Sequence, residues 1–362
     1  MNERMNVMSI PETMTAVVAC GVGDYRLETI PVPQLSGGDV LLKVEACGIC
    51  AGDIKAYQGG SRFWGSDAFA PYVEPPFVPG HELLGHVVAL GPTYTGDLHI
   101  GDRVVSEQIV PCGECKYCKK GRYWLCDPHV VYGFKSHTGG GFAEYVRLPE
   151  KAINYQISPD LPLEKAILIE PYACSLHAVE RGRIQKGDVV VISGCGPLGL
   201  GMIAAAARLD CTVIALDLQP ARLALAKQLG AHEALSPKTD PVAEAIAQHT
   251  QGYGCDVYIE ATGHPDSVVQ GLQYIAKGGR FVEFSVFSAP TTADWSLIGD
   301  AKEIDIYGAS LSPRCFPQVI AGISDGSLKT DGVVSHTFAL KDFQKGFAVC
   351  GDLSGMKVVL VP

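Results

Sequence analysis

The apolar run DVVVIS, Asp188–Ser193, passes straight through Gly194, Cys195, Gly196, Pro197, Leu198 and Gly199 into an alanine-rich segment, LGMIAAAARL. Few folds place G-x-G-x-x-G between a strand and a helix. In a dinucleotide-binding fold the first glycine makes the tight turn. The second lets the pyrophosphate approach the backbone, and the third lets helix and strand pack closely. The phosphates then rest on free N–H groups at the positive end of the helix. Pro197 and Leu198 complete this candidate coenzyme turn. Asp217 closes the next strand, TVIALD, 18 residues beyond Gly199, where a carboxylate can bond ribose hydroxyls. A carboxylate there repels a 2′-phosphate, so the coenzyme expected is NAD. Arg222, five residues later, is a nearby cation able to accommodate that phosphate, and it keeps NADP as the alternative.

Helical and strand patterns alternate around this motif. A helical stretch, LEKAILIEPYACSLHAVERG, precedes it; the helix PARLALAKQLG, ended by Gly230, follows. The strand CDVYIEAT, a helix around SVVQGLQYIA, and the strands GRFVEFSV and EIDIYGAS come after. Strands alternating with helices predict a doubly wound parallel sheet, an α/β fold. Upstream the text differs. From Thr15 to about Pro149, short apolar runs are broken by Gly, Pro and Asp, which predicts a β-rich region without βαβ rhythm. The expected domains are residues 1–168, β-rich; 169–310, coenzyme-binding; and 311–362, one helix with short strands returning to the first domain.

Four of the 13 cysteines crowd into PCGECKYCKKGRYWLC. Cys112, Cys115, Cys118 and Cys126 form C-x2-C-x2-C-x7-C, which suits a closed tetrahedral zinc site with a structural duty. An iron–sulfur cluster is the rival occupant. A second, dispersed set is Cys50 in CGICAGD, His81 and Glu82 in PGHELLGHV, and Glu170 in ILIEPYAC. A thiolate, an imidazole and a carboxylate make a zinc sphere with room for water or substrate. Taken singly, each also suits an ordinary core or helix position.

The net charge of −10 argues against nucleic-acid binding, which needs a basic face. No apolar run is long enough to span a bilayer. Met1–Thr15 has no apolar core, so no signal peptide and a cytoplasmic location are expected.

The order GHE-x2-G-x-V, GDRV, four-cysteine loop, GxGxxG and Asp217 resembles the zinc-containing medium-chain alcohol dehydrogenases over nearly the whole chain, from Thr15 to Pro362. Glu170, followed by proline, is similar to the sorbitol and threonine dehydrogenase branch. The resemblance implies a GroES-like β-rich catalytic domain joined to a Rossmann NAD-binding domain, with two zinc ions per subunit. It implies catalytic zinc on Cys50, His81 and either Glu82 or Glu170, Asp53 orienting His81, and Lys357 near the coenzyme pyrophosphate. The expected activity is hydride transfer from a polyol, a tetritol such as erythritol or threitol, to NAD. An L-threonine-type or simple secondary-alcohol dehydrogenase is the alternative. A zinc-free quinone reductase of the same fold and a non-catalytic NAD-binding protein are further rivals, disfavoured by the intact ligand sets. Relatives imply a homo-oligomer, dimer or tetramer, with EIDIYGAS as a contact edge.

Two departures from the family stand out. Gly52 replaces the usual hydroxyl residue of the proton relay, and Lys55 stands where a histidine is common. The relay then falls to water at the zinc, Glu170 or Lys55, though Lys55 also suits a plain surface position. Trp64, Phe69 and Tyr72, in the long segment from Gln58 to Pro79, and Phe134 are expected to wall the substrate pocket. His177 is expected to be a packing residue.

Overall fold

The computed structural model describes residues 10–287 and 289–362, so the first nine residues of the segment read for a targeting signal lie outside it. Two sheets organise the chain. Six strands, all parallel, run in the order Glu233–Leu235, Thr212–Leu216, Val189–Ser193, Cys255–Glu260, Ile275–Glu283 and Asp305–Gly308. In sequence order this is 3-2-1-4-5-6, the doubly wound arrangement in which ligands bind beyond the carboxyl ends of the strands where the order reverses. That reversal lies between Val189–Ser193 and Cys255–Glu260. The central strand is buried on both faces: Val190 and Ile192 enter one core, Val189 and Val191 another. This accounts for its unbroken apolar text.

The second sheet has seven strands, six on its main path and Tyr145–Leu148 beside it, with antiparallel pairing except at one end. At its centre Val40–Ile49 pairs with Glu82–Leu90, with Tyr145–Leu148, and with the C-terminal strand Lys357–Val361. Val334–Ala339 continues the sheet beyond Lys357–Val361. The final strands of the chain therefore lie against the N-terminal sheet.

Three local expectations change. The β-rich half also contains helices Ala51–Tyr57 and Ser61–Trp64. Cys50 caps the first, its sulfur accepting from Gly52 N–H while Asp53 reaches back to Cys50 N–H. This capping box overrides the β-rich context. The helical stretch before the coenzyme turn is two helices, Leu163–Ala166 and Ile169–Arg181. The C-terminal segment carries two α-helices, Phe316–Ser324 and Phe343–Gly351, where one was expected. Among the described residues no helix is long and apolar enough to cross a membrane.

Candidate active site

The four cysteines of the loop converge, with sulfurs within 4.8 Å of one another. Local backbone geometry aims them: Cys112 N–H donates to the Cys126 sulfur at 3.2 Å, and Cys115 N–H to the Cys112 sulfur at 3.3 Å. N–H donation from Cys118 holds the Cys115 thiol down at about 6, which favours the thiolate a metal needs. Four sulfurs converging in this way fit a tetrahedral zinc. The loop is anchored by Tyr123, which donates to Glu107 at 2.9 Å, and by Arg314, which donates to Gly121 O at 2.7 Å.

Three members of the dispersed set also converge, while Glu170 lies outside that group. Ligating atoms of Cys50, His81 and Glu82 lie within 4.8 Å of one another. Asp53 sits behind them, accepting from Cys50 N–H at 2.9 Å, with its other oxygen 3.6 Å from His81 Nδ1. Asp53 Oδ1 and His81 Nδ1 are buried without a hydrogen-bond partner. A cation taken by the other imidazole nitrogen would fix Nδ1 as the protonated one facing Asp53, so the residues fit a zinc ion.

Glu82 is committed elsewhere. Lys357 Nζ lies 2.5 and 2.6 Å from its two oxygens and also donates to Ile49 O at 3.1 Å, with both side chains 2% exposed. Burial pulls the Lys357 ammonium down, but Glu82 more than offsets this and holds it charged. The expectation that Lys357 meets the coenzyme pyrophosphate is therefore corrected. Strand register sets Val358 beside Ile49 and Glu82 beside Gly48, and this turns the lysine inward onto the glutamate. Glu170 is the freer acid; its oxygen meets only the Cys174 thiol, at 3.5 Å. Burial, then Glu82, pushes its carboxyl up to about 7.

Cys50, His81, Glu82 and Glu170 line one cleft of about 460 Å³ between the two sheets, together with Leu198 of the coenzyme turn. Phe63, Tyr72 and Phe134 wall it. Of the aromatic residues expected there, Tyr72 and Phe134 hold their places. Trp64 instead donates its indole N–H to Ala56 O at 2.6 Å, and Phe69 lies at the surface under Arg62. Lys55 lines the cleft and donates to Val286 O in the loop after Ile275–Glu283, so it bridges the two halves. Gly52 also borders the cleft and supplies no hydroxyl.

The coenzyme turn shows why it needs glycine. Gly194 has φ +103°, and a Cβ there would meet Ala261 O at 2.7 Å; a Cβ at Gly199 would run into Gly194 O. Gly196 faces open space, so its bare backbone can be approached by a pyrophosphate. Pro197 is the first residue of the helix Pro197–Ala206. Asp217 accepts from Cys195 N–H at 2.8 Å, with Arg222 3.9 Å away.

Several cleft residues were not singled out from the sequence: Gln108, His129, Cys174, Thr262 and Glu283 among them. Only Glu283 carried a signal, as a carboxylate inside the apolar strand RFVEFSV. His177 packs near Trp124, 6.2 Å between ring centroids. Its imidazole also lies within 4.8 Å of ligating atoms of Glu180 and Cys315. Burial and Arg181 push the imidazole down to about 4, and Arg122 lines the same hollow, a setting that opposes a bound cation.

Comparison with known proteins follows the same two-part division. Residues 36–158 match the alcohol dehydrogenase GroES-like domain, and residues 197–325 match the zinc-binding dehydrogenase model. The chain is 47% identical over 357 residues to an erythritol/L-threitol dehydrogenase of Mycolicibacterium smegmatis, covering 98% of this chain and 99% of that one. It is 33% identical to a sorbitol dehydrogenase of Bacillus subtilis, covering 93% of each. An alcohol dehydrogenase from Escherichia coli CFT073, solved with NADH, superposes with a TM-score of 0.86 at 27% identity, covering 97% of this chain and 100% of that one.

Proposed function

Because this chain belongs to the zinc-binding alcohol dehydrogenases, we propose that it oxidises a polyol, a tetritol such as erythritol or threitol, to the ketose with NAD. The observation that carries this reading is the shared cleft: the cation-ligand set and Leu198 of the coenzyme turn line the same 460 Å³ space. Similarity to polyol dehydrogenases over nearly the full chain supports the substrate class.

Zinc would be held by Cys50, His81 and Glu170, with Glu82 in reserve while Lys357 holds it, and a second zinc by the four cysteines. Bound there, the catalytic zinc supplies Lewis acidity at the alcohol oxygen, and NAD accepts the hydride. The chain's own residues do the rest. Asp53 fixes the tautomer and tilt of His81. Phe63, Tyr72 and Phe134 exclude water from the cleft and fix the carbon chain. The hydroxyl proton leaves by way of Glu170 or Lys55, titratable groups that line the cleft with Cys50. We read residues 1–168 and the returning segment 311–362 as the catalytic unit and 169–310 as the coenzyme unit. The enzyme acts in the cytoplasm as a homo-oligomer joined through the edge strand Asp305–Gly308.

The test is NADH formation by the zinc-loaded protein over erythritol, both threitols, xylitol, sorbitol, threonine and 2-butanol. Strong turnover of a tetritol with weak turnover of threonine and 2-butanol is expected. Activity on threonine or 2-butanol with every polyol silent removes the substrate assignment.

Asp217 is the basis for NAD over NADP. Asp217→Ala is expected to lower kcat/KM for NAD about 10- to 100-fold, the worth of charged hydrogen bonds to the ribose, and to raise the relative use of NADP. An unchanged NAD:NADP ratio in steady-state kinetics contradicts this role. The 2.8 Å bond to Cys195 N–H predicts a modest loss of thermal stability alongside.

A further inference from the structure

We infer that Glu283 is a specificity-determining residue that accepts a hydrogen bond from a second hydroxyl of the substrate, one remote from the carbon being oxidised. This rests on the polyol reading above. Glu283 ends the strand Ile275–Glu283, in a sheet whose central strand, Val189–Ser193, is buried throughout. Its neighbours Phe281 and Val282 are buried, as expected of a parallel strand covered on both faces. A carboxylate in such a setting is costly unless hydrogen-bonded. On the adjacent strand Glu260 meets that requirement, accepting from Thr262 N–H and Thr262 hydroxyl at 2.8 and 2.5 Å. Glu283 does so only in part: Ser285 N–H acts on its carboxylate, but its Oε1 is buried and has no partner among the described residues.

The nearby charged side chains are engaged or distant. The Lys55 ammonium bonds Val286 O, and Arg62 stacks on Phe69 at 4.4 Å while acting on Glu283 through space only. What enters the cleft is the remaining source of a further donor to this carboxylate, because Glu283 lines it together with Cys50, His81 and Glu170. A polyol brings several hydroxyl donors. A simple secondary alcohol brings only the one at the reacting carbon. The coenzyme carboxamide is the competing donor, but a carboxylate placed there would stabilise the cationic oxidised ring over its reduced form and so oppose hydride transfer. A site built to bond a hydroxyl rejects the analogue that lacks it much more strongly than an apolar pocket rejects an extra hydroxyl.

The experiment compares wild type, Glu283→Gln and Glu283→Leu, all zinc-loaded, on erythritol, both threitols and 2-butanol, with NADH affinity measured by fluorescence titration. The ratio of kcat/KM for the tetritol to that for 2-butanol is expected to fall about 100-fold in Glu283→Leu. Glu283→Gln keeps an acceptor oxygen and is expected to lose about tenfold, with the coenzyme dissociation constant unchanged in both. A parallel fall on both alcohols, or weakened NADH binding, assigns Glu283 to the coenzyme and overturns the inference. So does an unaltered ratio. Wild type that is silent on every tetritol overturns the polyol reading itself, an outcome visible before any variant is compared.

Discussion

Lys357→Met is expected to destabilise the folded protein by about 3–5 kcal/mol, because it strands the Glu82 carboxylate without its counter-ion in the core. The lysine bonds both oxygens of Glu82 and Ile49 O, and both charged side chains are 2% exposed. Pairing charges there is costly, but leaving one unpaired is worse. Adding Glu82→Gln to the lysine variant is expected to recover most of the loss, since the amide removes the uncompensated charge and keeps the shape. Denaturant unfolding of the wild type, the single variants and the double variant measures the coupling directly. Losses that simply add would show that the pair is not a unit. The same proteins test the corrected role of the lysine. With Lys357 turned onto Glu82 and away from the coenzyme turn, the KM for NAD is expected to stay within a few-fold of wild type, whereas a pyrophosphate contact would make it rise steeply.

Cys50→Ala is expected to abolish turnover, by at least about 10³-fold, while the protein stays folded. Lewis-acid stabilisation at the alcohol oxygen is worth several kcal/mol, and no other group in the cleft supplies it. Cys50 is half-buried and caps the short helix Ala51–Tyr57, so its removal costs about a capping interaction, near 1 kcal/mol. The zinc content is expected to fall by one ion per chain, leaving that of the four-cysteine loop. Metal analysis and circular dichroism separate these outcomes. Retention of more than a tenth of wild-type activity would refute the assigned role of Cys50. Chelation that removes both ions is expected to reduce stability as well, since the loop from Cys112 to Cys126 has no disulfide to close it.

How much was legible beforehand depended on range. The strand, glycine turn and helix around Gly194–Gly199, the acid at Asp217 and the cysteine spacing from Cys112 to Cys126 are contiguous or nearly so. Their geometry follows from local backbone rules, and each could be assigned from text alone. The family resemblance, carried by motif order, extended this to Cys50, His81, Glu82 and Glu170, which the fold brings to one cleft. Contacts across the sheet were a different matter. Lys357 meets Glu82 across 275 residues, and register alone decides that it faces inward. Trp64 and Phe69 share composition and neighbourhood with Phe63, yet only Phe63 reaches the cleft, because the turn of the helix Ser61–Trp64 aims it there.

The sequence by itself determined the parallel coenzyme-binding sheet and the four-sulfur loop, because strand periodicity, turn chemistry and ligand spacing act over a few residues. Only the tertiary structure decided which glutamate is paired with a lysine and which is freer to bind a cation. The same holds for Lys55 bridging to Val286 and for the buried oxygen of Glu283 left without a donor. The physical reason is that partnership in a dry interior is a property of three-dimensional neighbours. A carboxylate's charge, hydrogen bonds and use are settled by what strand register and domain packing bring against it.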